Sequence, residues 1–287
     1  MLKKFLYLPF FYALIGCTSV FLQPTHLLYF PPEKNGYTHE EVTFPSADGT
    51  LLTAWHIPCF PCDKAKASIL QFHGNGENLS SHYLSLAWLT RYGYDLWIMD
   101  YRGYGASQGE PDLHGAVADS VAAIQMVQAK QKEQHIPKFI IYAQSLGGAI
   151  AMKALEQMNE RSQVDFLVLD SCFLSYQKIA QGKLSDHVLT WLFSPLAFVL
   201  ISDSESPKDN LSLLTMPKLL IHDKNDPIVE YRNGQALYEA LPEPKEKWDL
   251  DQGRHIGVFA SDTIANRQRF LDRLDLLQFS FENAVQK

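Results

Sequence analysis

Six short strand-like runs, at residues 67–72, 95–100, 139–143, 166–170, 218–221 and 247–250, punctuate the chain, and most of the intervals between them carry helical spacing. The interval 112–131 is the clearest: Val117, Val121, Ile124 and Val127 recur every three or four residues. Strands alternating with amphipathic helices imply an α/β fold, a mostly parallel central sheet with helices on both faces. Ahead of these runs, EEVTF and TLLTAWHI are joined by PSADG with no helix between them. They read as an antiparallel hairpin at the sheet edge. In such a sheet ligands bind beyond the carboxyl ends of the strands, so the residues just after each run are where chemistry is to be sought.

One of these ends is unusual. The run FIIYA breaks at Gln144 onto Ser145-Leu146-Gly147-Gly148 and passes straight into a helical pattern. A strand-to-helix turn this sharp strains the serine backbone and exposes its hydroxyl, and Ala143, Gly147 and Gly148 are small enough to let the two elements pack. Glycine is usual where this chain has Ala143, and the extra methyl is read as a tolerated variation. A serine hydroxyl is a poor nucleophile at neutral pH and needs a base, and the base needs an orienting acid. Asp226, in HDKNDPIV after the run MPKLLI, and His255, in KWDLDQGRHIGVF, follow Ser145 in the order serine, acid, histidine. Asp223 and Asp170 also lie near strand ends and are alternative acids, and Asp226 before Pro227 has a second reading as a turn residue; Asp226 is the preferred acid.

Two further stretches fit the same scheme. SILQFHGNGEN ends a strand at His73-Gly74 and leads into a loop at Asn75 to Asn78, and LWIMDYRGYGASQGEP follows the next strand. With HGNGEN, DYRGYG and SLGG in hand, the chain resembles the α/β-hydrolase superfamily over roughly residues 40–280, in its branch of short-capped serine hydrolases that includes esterases, lipases and serine aminopeptidase-like proteins. A departure is Asp223, where many members carry glycine. The resemblance implies the α/β-hydrolase fold with a small helical cap, and an oxyanion hole formed by the N–H groups of Asn75 and Leu146. It places the cap at about residues 173–215, a stretch without a strand that includes VLTWLFSPLAFVLI. Trp191, Phe193 and Phe198 are then expected to line an acyl pocket, and the scarcity of charge from Val188 to Ile201 favours an apolar acyl or aromatic group. The alternative is a pair of core helices kinked at Pro195.

Other polar residues receive plainer readings. His73 is expected to pack under the oxyanion loop and His222 to support the acid loop. His26, His39, His56, His82, His114, His135 and His187 show no paired metal-ligand spacing. Arg102 is read as a salt-bridged loop arginine in preference to an anchor for an anionic substrate.

The N-terminus bears on location. Lys3 and Lys4 precede an apolar stretch from Phe5 to Ile15, then Gly16 and Cys17. This is a secretory signal pattern too short for a comfortable membrane span. Leu14 to Cys17 also resembles the bacterial lipobox, which implies cleavage after residue 16 and a lipid on Cys17. Residues 17–38, with Pro24, Pro31, Pro32 and Gly36, read as a tether to a domain at 39–287. The net charge of −7 becomes more acidic once Lys3 and Lys4 are removed, which argues against a nucleic-acid partner. Cys59 and Cys62 sit in a proline-containing loop as CFPC and read as a local disulfide or two idle thiols, not a redox pair, which belongs at a helix start. Zinc is not expected for want of a second ligand pair.

The expectation is therefore a carboxylesterase- or lipase-like serine hydrolase that cleaves a small acyl ester through an acyl-enzyme. It needs no metal or organic cofactor and is anchored in the bacterial cell envelope by lipidated Cys17. Two alternatives stand beside it. A peptidase of the same fold would need an acid near the substrate amine, for which Glu77 and Glu110 are candidates, and a non-catalytic envelope scaffold would have no use for the triad.

Overall fold

Strands covered on both faces are expected to be largely apolar, and the central strands here are, with Ser68, Gln71 and Gln144 among their buried polar exceptions. The computed structural model describes residues 21–185, 191–260 and 262–285; Cys17, His187 and the expected signal segment 1–16 lie outside them. Ten strands are described: β1 (Gln23–Pro24), β2 (Glu40–Pro45), β3 (Leu51–Ile57), β4 (Ala67–Phe72), β5 (Gly76–Glu77), β6 (Tyr94–Met99), β7 (Phe139–Gln144), β8 (Phe166–Asp170), β9 (Lys218–Asp223) and β10 (Lys245–Leu250). The helices are α1 (Leu79–His82), α2 (Leu113–Glu133), α3 (Leu146–Gln157), α4 (Tyr176–Ser185), α5 (Ala197–Leu200), α6 (Tyr231–Ala240) and α7 (Ile264–Val285).

Eight strands form one sheet in the order β10-β9-β8-β7-β4-β6-β3-β2. Neighbours from β10 to β6 run parallel, and β3 and β2 close the other edge as the expected antiparallel hairpin. Side chains alternate along each strand. Leu70, Phe72, Ile141, Leu167 and Leu169 pack with Val117, Ile124, Val127 and Ile150 of α2 and α3. Their neighbours Ile69, Ile140, Tyr142, Val168 and Ile221 pack on the other face with Leu86, Trp88, Phe270 and Leu274. Both faces are covered, as expected. The α2 helix starts where Asp112 accepts the Gly115 N–H at 2.7 Å, an N-cap that satisfies one of the orphan donors of the first turn.

Between β8 and β9 the described residues contain no strand, only α4, α5 and short 3₁₀ turns at Trp191–Leu196 and Leu211–Leu213. The N-terminal stretch differs from the tether reading. From Phe21 onward it lies against the domain: Leu22 is buried in the core, and β1 pairs in parallel with β5. A proline-rich composition signals extended backbone, which serves as well for a strand laid on a surface as for a free linker. Cys59 and Cys62 are joined by a disulfide. No described helix is long and apolar enough to cross a membrane.

Candidate active site

Ser145 joins β7 to α3 with φ 52° and ψ −119°, a region that a residue with a side chain seldom enters. Its N–H donates to Asp170 O at 2.8 Å and its own carbonyl accepts from Gly148 N at 3.0 Å, so the strained residue is held from both sides. The following glycines are fixed by close approach. A Cβ on Gly147 would lie 2.4 Å from His73 O and 2.6 Å from Phe72 O, both backbone atoms, and one on Gly148 would lie 2.0 Å from Cys172 Sγ. The small residues of the turn therefore let α3 sit directly on β4 and β8. Ala143 is buried between β4 and β8, so the methyl in place of the usual glycine is accommodated as core.

Asp226 and His255 come together: His255 Nδ1 and Asp226 Oδ2 are 2.8 Å apart. Burial alone would raise the Asp226 carboxyl, but the His255 hydrogen bond and charge, with the N–H groups of Ile228 (2.8 Å) and Val229 (2.9 Å), leave it below its ordinary value. The acid is thus ionised and occupies Nδ1, which leaves Nε2 of His255 as the ring nitrogen available to a serine proton. His255 lies on the loop after β10. That loop reaches across β9 to β8, where Ile256 N donates to Ser171 Oγ at 3.4 Å. β8 is the neighbour of β7, the strand that ends in Ser145.

The rival acids have other duties. Asp223 Oδ1 accepts from the N–H groups of Asn225 (2.8 Å) and Gly253 (3.1 Å), and Oδ2 from Gln252 N (2.7 Å), so it fastens the acid loop to the histidine loop. Asp170 is buried, and burial pushes its carboxyl up to about 6 even though the Tyr142 hydroxyl donates to it at 2.9 Å. His222 is buried with Nε2 2.8 Å from Val229 O, and so supports the acid loop. His73 is buried beneath the oxyanion-side loop, with Nδ1 2.8 Å from Gly74 O and Nε2 3.2 Å from Asp100 Oδ1. Arg102 is occupied by Asp119 and Asp48, at 2.8 and 3.0 Å. His82, read as ordinary, is half-buried near the site, and desolvation pushes it down to about 4, so it stays neutral.

A cavity of about 470 Å³ opens beside Ser145. Asn75 and Leu146, the expected oxyanion donors, both line it. Its walls are Phe21, Phe173, Ile179, Leu184, Leu200, Ile201, Ile228 and Val229, among others; Lys183 is the one charged residue among the described lining, and its Nζ donates to Pro227 O at 3.2 Å. The expected pocket residue Phe198 does not line this cavity and is 47% exposed. In α5 and at its C-cap it is Ala197, Leu200 and Ile201 that line the cavity, at the i, i+3, i+4 spacing of one helix side, and Phe198 does not. The side chains of Trp191 and Phe193 lie outside the described residues. Phe21 and Gln23 were missed because no local pattern marks them, whereas the spacing of Ala197, Leu200 and Ile201 was there to be read.

This sheet, this serine turn and the acid and histidine beyond the last two strands define an α/β-hydrolase. The chain belongs to the hydrolase family whose model is described as Hydrolase_4: serine aminopeptidase, S33, which matches residues 63–206. The matched span carries Asn75 and Ser145 and ends before Asp226 and His255. Protein YfhR of Escherichia coli O157:H7 is 31% identical over 260 residues, 87% of each chain. Among solved structures, the esterase Pf2001 of Pyrococcus furiosus has a TM-score of 0.70 at 20% identity, covering 89% of this chain and 97% of that one. The esterase EaEST of Exiguobacterium antarcticum has a TM-score of 0.62 at 18% identity, covering 82% of this chain and 100% of that one. These two likenesses concern the fold.

Proposed function

We propose that this hydrolase cleaves carboxylic esters with an apolar acyl group through a serine-bound acyl-enzyme. Ser145 attacks the carbonyl while His255 Nε2 takes its proton. The N–H groups of Asn75 and Leu146 hold the oxyanion, and His255 then protonates the leaving alkoxide. Water, activated by the same histidine, releases the acid. The observation that carries the ester reading is the cavity wall beside Ser145: it is apolar, and among the described residues it holds no carboxylate. A peptidase acting on chain N-termini must hold a protonated amine. Glu77 and Glu110, the candidates for that task, are exposed and outside the cavity lining, and the charge that is present, Lys183, has the wrong sign. The names of the two esterases of the same fold agree with this reading.

The protein is further proposed to be a lipoprotein of the bacterial envelope, processed after residue 16 and acylated on Cys17. Support comes from the Lys3–Cys17 pattern and from the Cys59–Cys62 disulfide, a bond that persists in oxidising compartments. A fluorophosphonate label followed by peptide mapping tests the nucleophile: the adduct is expected on the peptide containing Ser145 and absent from Ser145→Ala, and an adduct elsewhere overturns the assignment. Intact-mass analysis of the membrane fraction tests the anchor, with a chain that begins at Cys17 and carries acyl mass as the expected result.

A further inference from the structure

The segment Phe21–Tyr29 is fastened to the site at several independent points. Gln23 N donates to Asn75 Oδ1 at 2.9 Å and to the Tyr104 hydroxyl at 3.0 Å, and that hydroxyl in turn donates to Asn75 O at 2.7 Å. Asn75 is thereby held by both its carbonyl and its side chain. Farther along, Asn78 Nδ2 donates to Thr25 O (3.0 Å) and Leu27 O (2.7 Å), Gly105 N donates to Thr25 O (2.9 Å), and Tyr29 N donates to Ser80 Oγ (3.0 Å). At the near end Phe21 forms part of the cavity wall and meets Tyr176 edge-on, with ring centroids 5.1 Å apart.

We propose that this N-terminal strap is a working part of the catalytic site, resting on the esterase reading above. Through Gln23 N–H and the Tyr104 hydroxyl it fixes the orientation of Asn75, and through Phe21 it closes one end of the acyl pocket and sets the acyl length accepted. The oxyanion donor belongs to a loop with two glycines nearby, Gly74 and Gly76, whose backbones would otherwise sample a broad range. A donor must sit about 2.7–3.1 Å from the developing oxyanion to be useful, a narrow window that a wandering backbone would miss. Gln23 and Tyr104 are thus positioning residues, and Phe21 is a determinant of specificity.

The experiment uses the full chain and p-nitrophenyl esters of two to twelve acyl carbons, with melting temperatures recorded for each variant. Tyr104→Phe removes only the hydroxyl that joins strap and loop; a fall in kcat of about tenfold with KM nearly unchanged is expected, across all chain lengths. Phe21→Ala is expected to shift the preferred acyl length upward by one or more carbons, and Phe21→Leu to return it toward that of the wild type. If the wild-type chain hydrolyses none of these esters, the esterase reading falls and the strap proposal with it. If the wild type is active but Tyr104→Phe keeps its kcat and Phe21→Ala keeps the chain-length profile, the strap proposal alone is overturned. A loss of melting temperature without either kinetic change gives the strap a purely structural role and overturns it equally.

Discussion

The turn that carries Ser145 and the roof that faces it across the cavity obey opposite rules. In the turn, backbone meets backbone: Gly147 has no room for a methyl against Phe72 O and His73 O, and Ser145 is held in a conformation it would not choose. In the roof, α4, α5 and the C-cap of α5 contribute Ile179, Leu184, Leu200 and Ile201, aliphatic side chains of similar size that one another could replace, on and beside helices of ten and four residues. On the proposed reading the first region sets the reaction. On the same reading the second sets the substrate, and a region of that kind changes cheaply because volume-conserving apolar swaps cost little.

If the comparison holds, substitutions around the turn should act on kcat or on folding and those in the roof on selectivity alone. The largest expected effect is that of Asp226→Asn, about 10⁴-fold in kcat with folding intact, because the imidazole loses its orienting acid and tautomer. Asp170→Asn and Asp223→Asn should each cost far less. A comparable loss from Asp170→Asn would move the acid to β8.

Asp170 offers a test on stability instead. Its folded carboxyl, at about 6, lies above the ordinary value of 3.8, so the unfolded chain ionises first. Its contribution is full below that ordinary value and is lost as pH rises toward the folded one. The stability of Asp170→Asn relative to wild type should then climb by about 3 kcal/mol between about pH 4 and pH 7. Chemical denaturation across that range measures it, and a flat difference would mean the carboxyl is ordinary.

Smaller again is Gly147→Ala, expected to cost about 1–3 kcal/mol of stability by overpacking against fixed backbone. Thermal or urea unfolding gives the value, and a neutral result would show that α3 can lift off β4. The smallest effect belongs to the roof. Leu200→Ala should leave turnover of a two-carbon ester nearly unchanged while weakening kcat/KM for longer chains by about 0.8 kcal/mol, or roughly fourfold, per methylene that loses its contact. A uniform loss at every chain length would place Leu200 with the structural core.

The same contrast explains what could be read from the residues alone. Ser145, Asp226, His255, the parallel sheet and its antiparallel edge all announce themselves through short-range signals: an apolar run, a tight turn, an order along the chain. His73 and His222 were legible in role because each adjoins such a turn. The pocket was legible only in kind. Apolar residues in 188–201 suggested its character, but which of them face inward depends on the helical register, and Phe198 falls on the outer side where Leu200 and Ile201 do not. Phe21 and Gln23 gave no signal at all, because their partners, Tyr176, Asn75 and Tyr104, are 52 or more residues away and nothing local records the pairing.

The carboxylate at position 223 has a consequence for how the machinery tolerates motion. By gripping Asn225 on one loop and Gln252 and Gly253 on the other, it makes the carriers of Asp226 and His255 a single stapled body. Ser145 rides on a second body, the β7–α3 corner. The strand β8 lies between the two, and the hydrogen bonds of Asp223 oppose any motion that would part acid from base. What is then left to align serine with histidine is chiefly one coordinate, the separation of two blocks across β8.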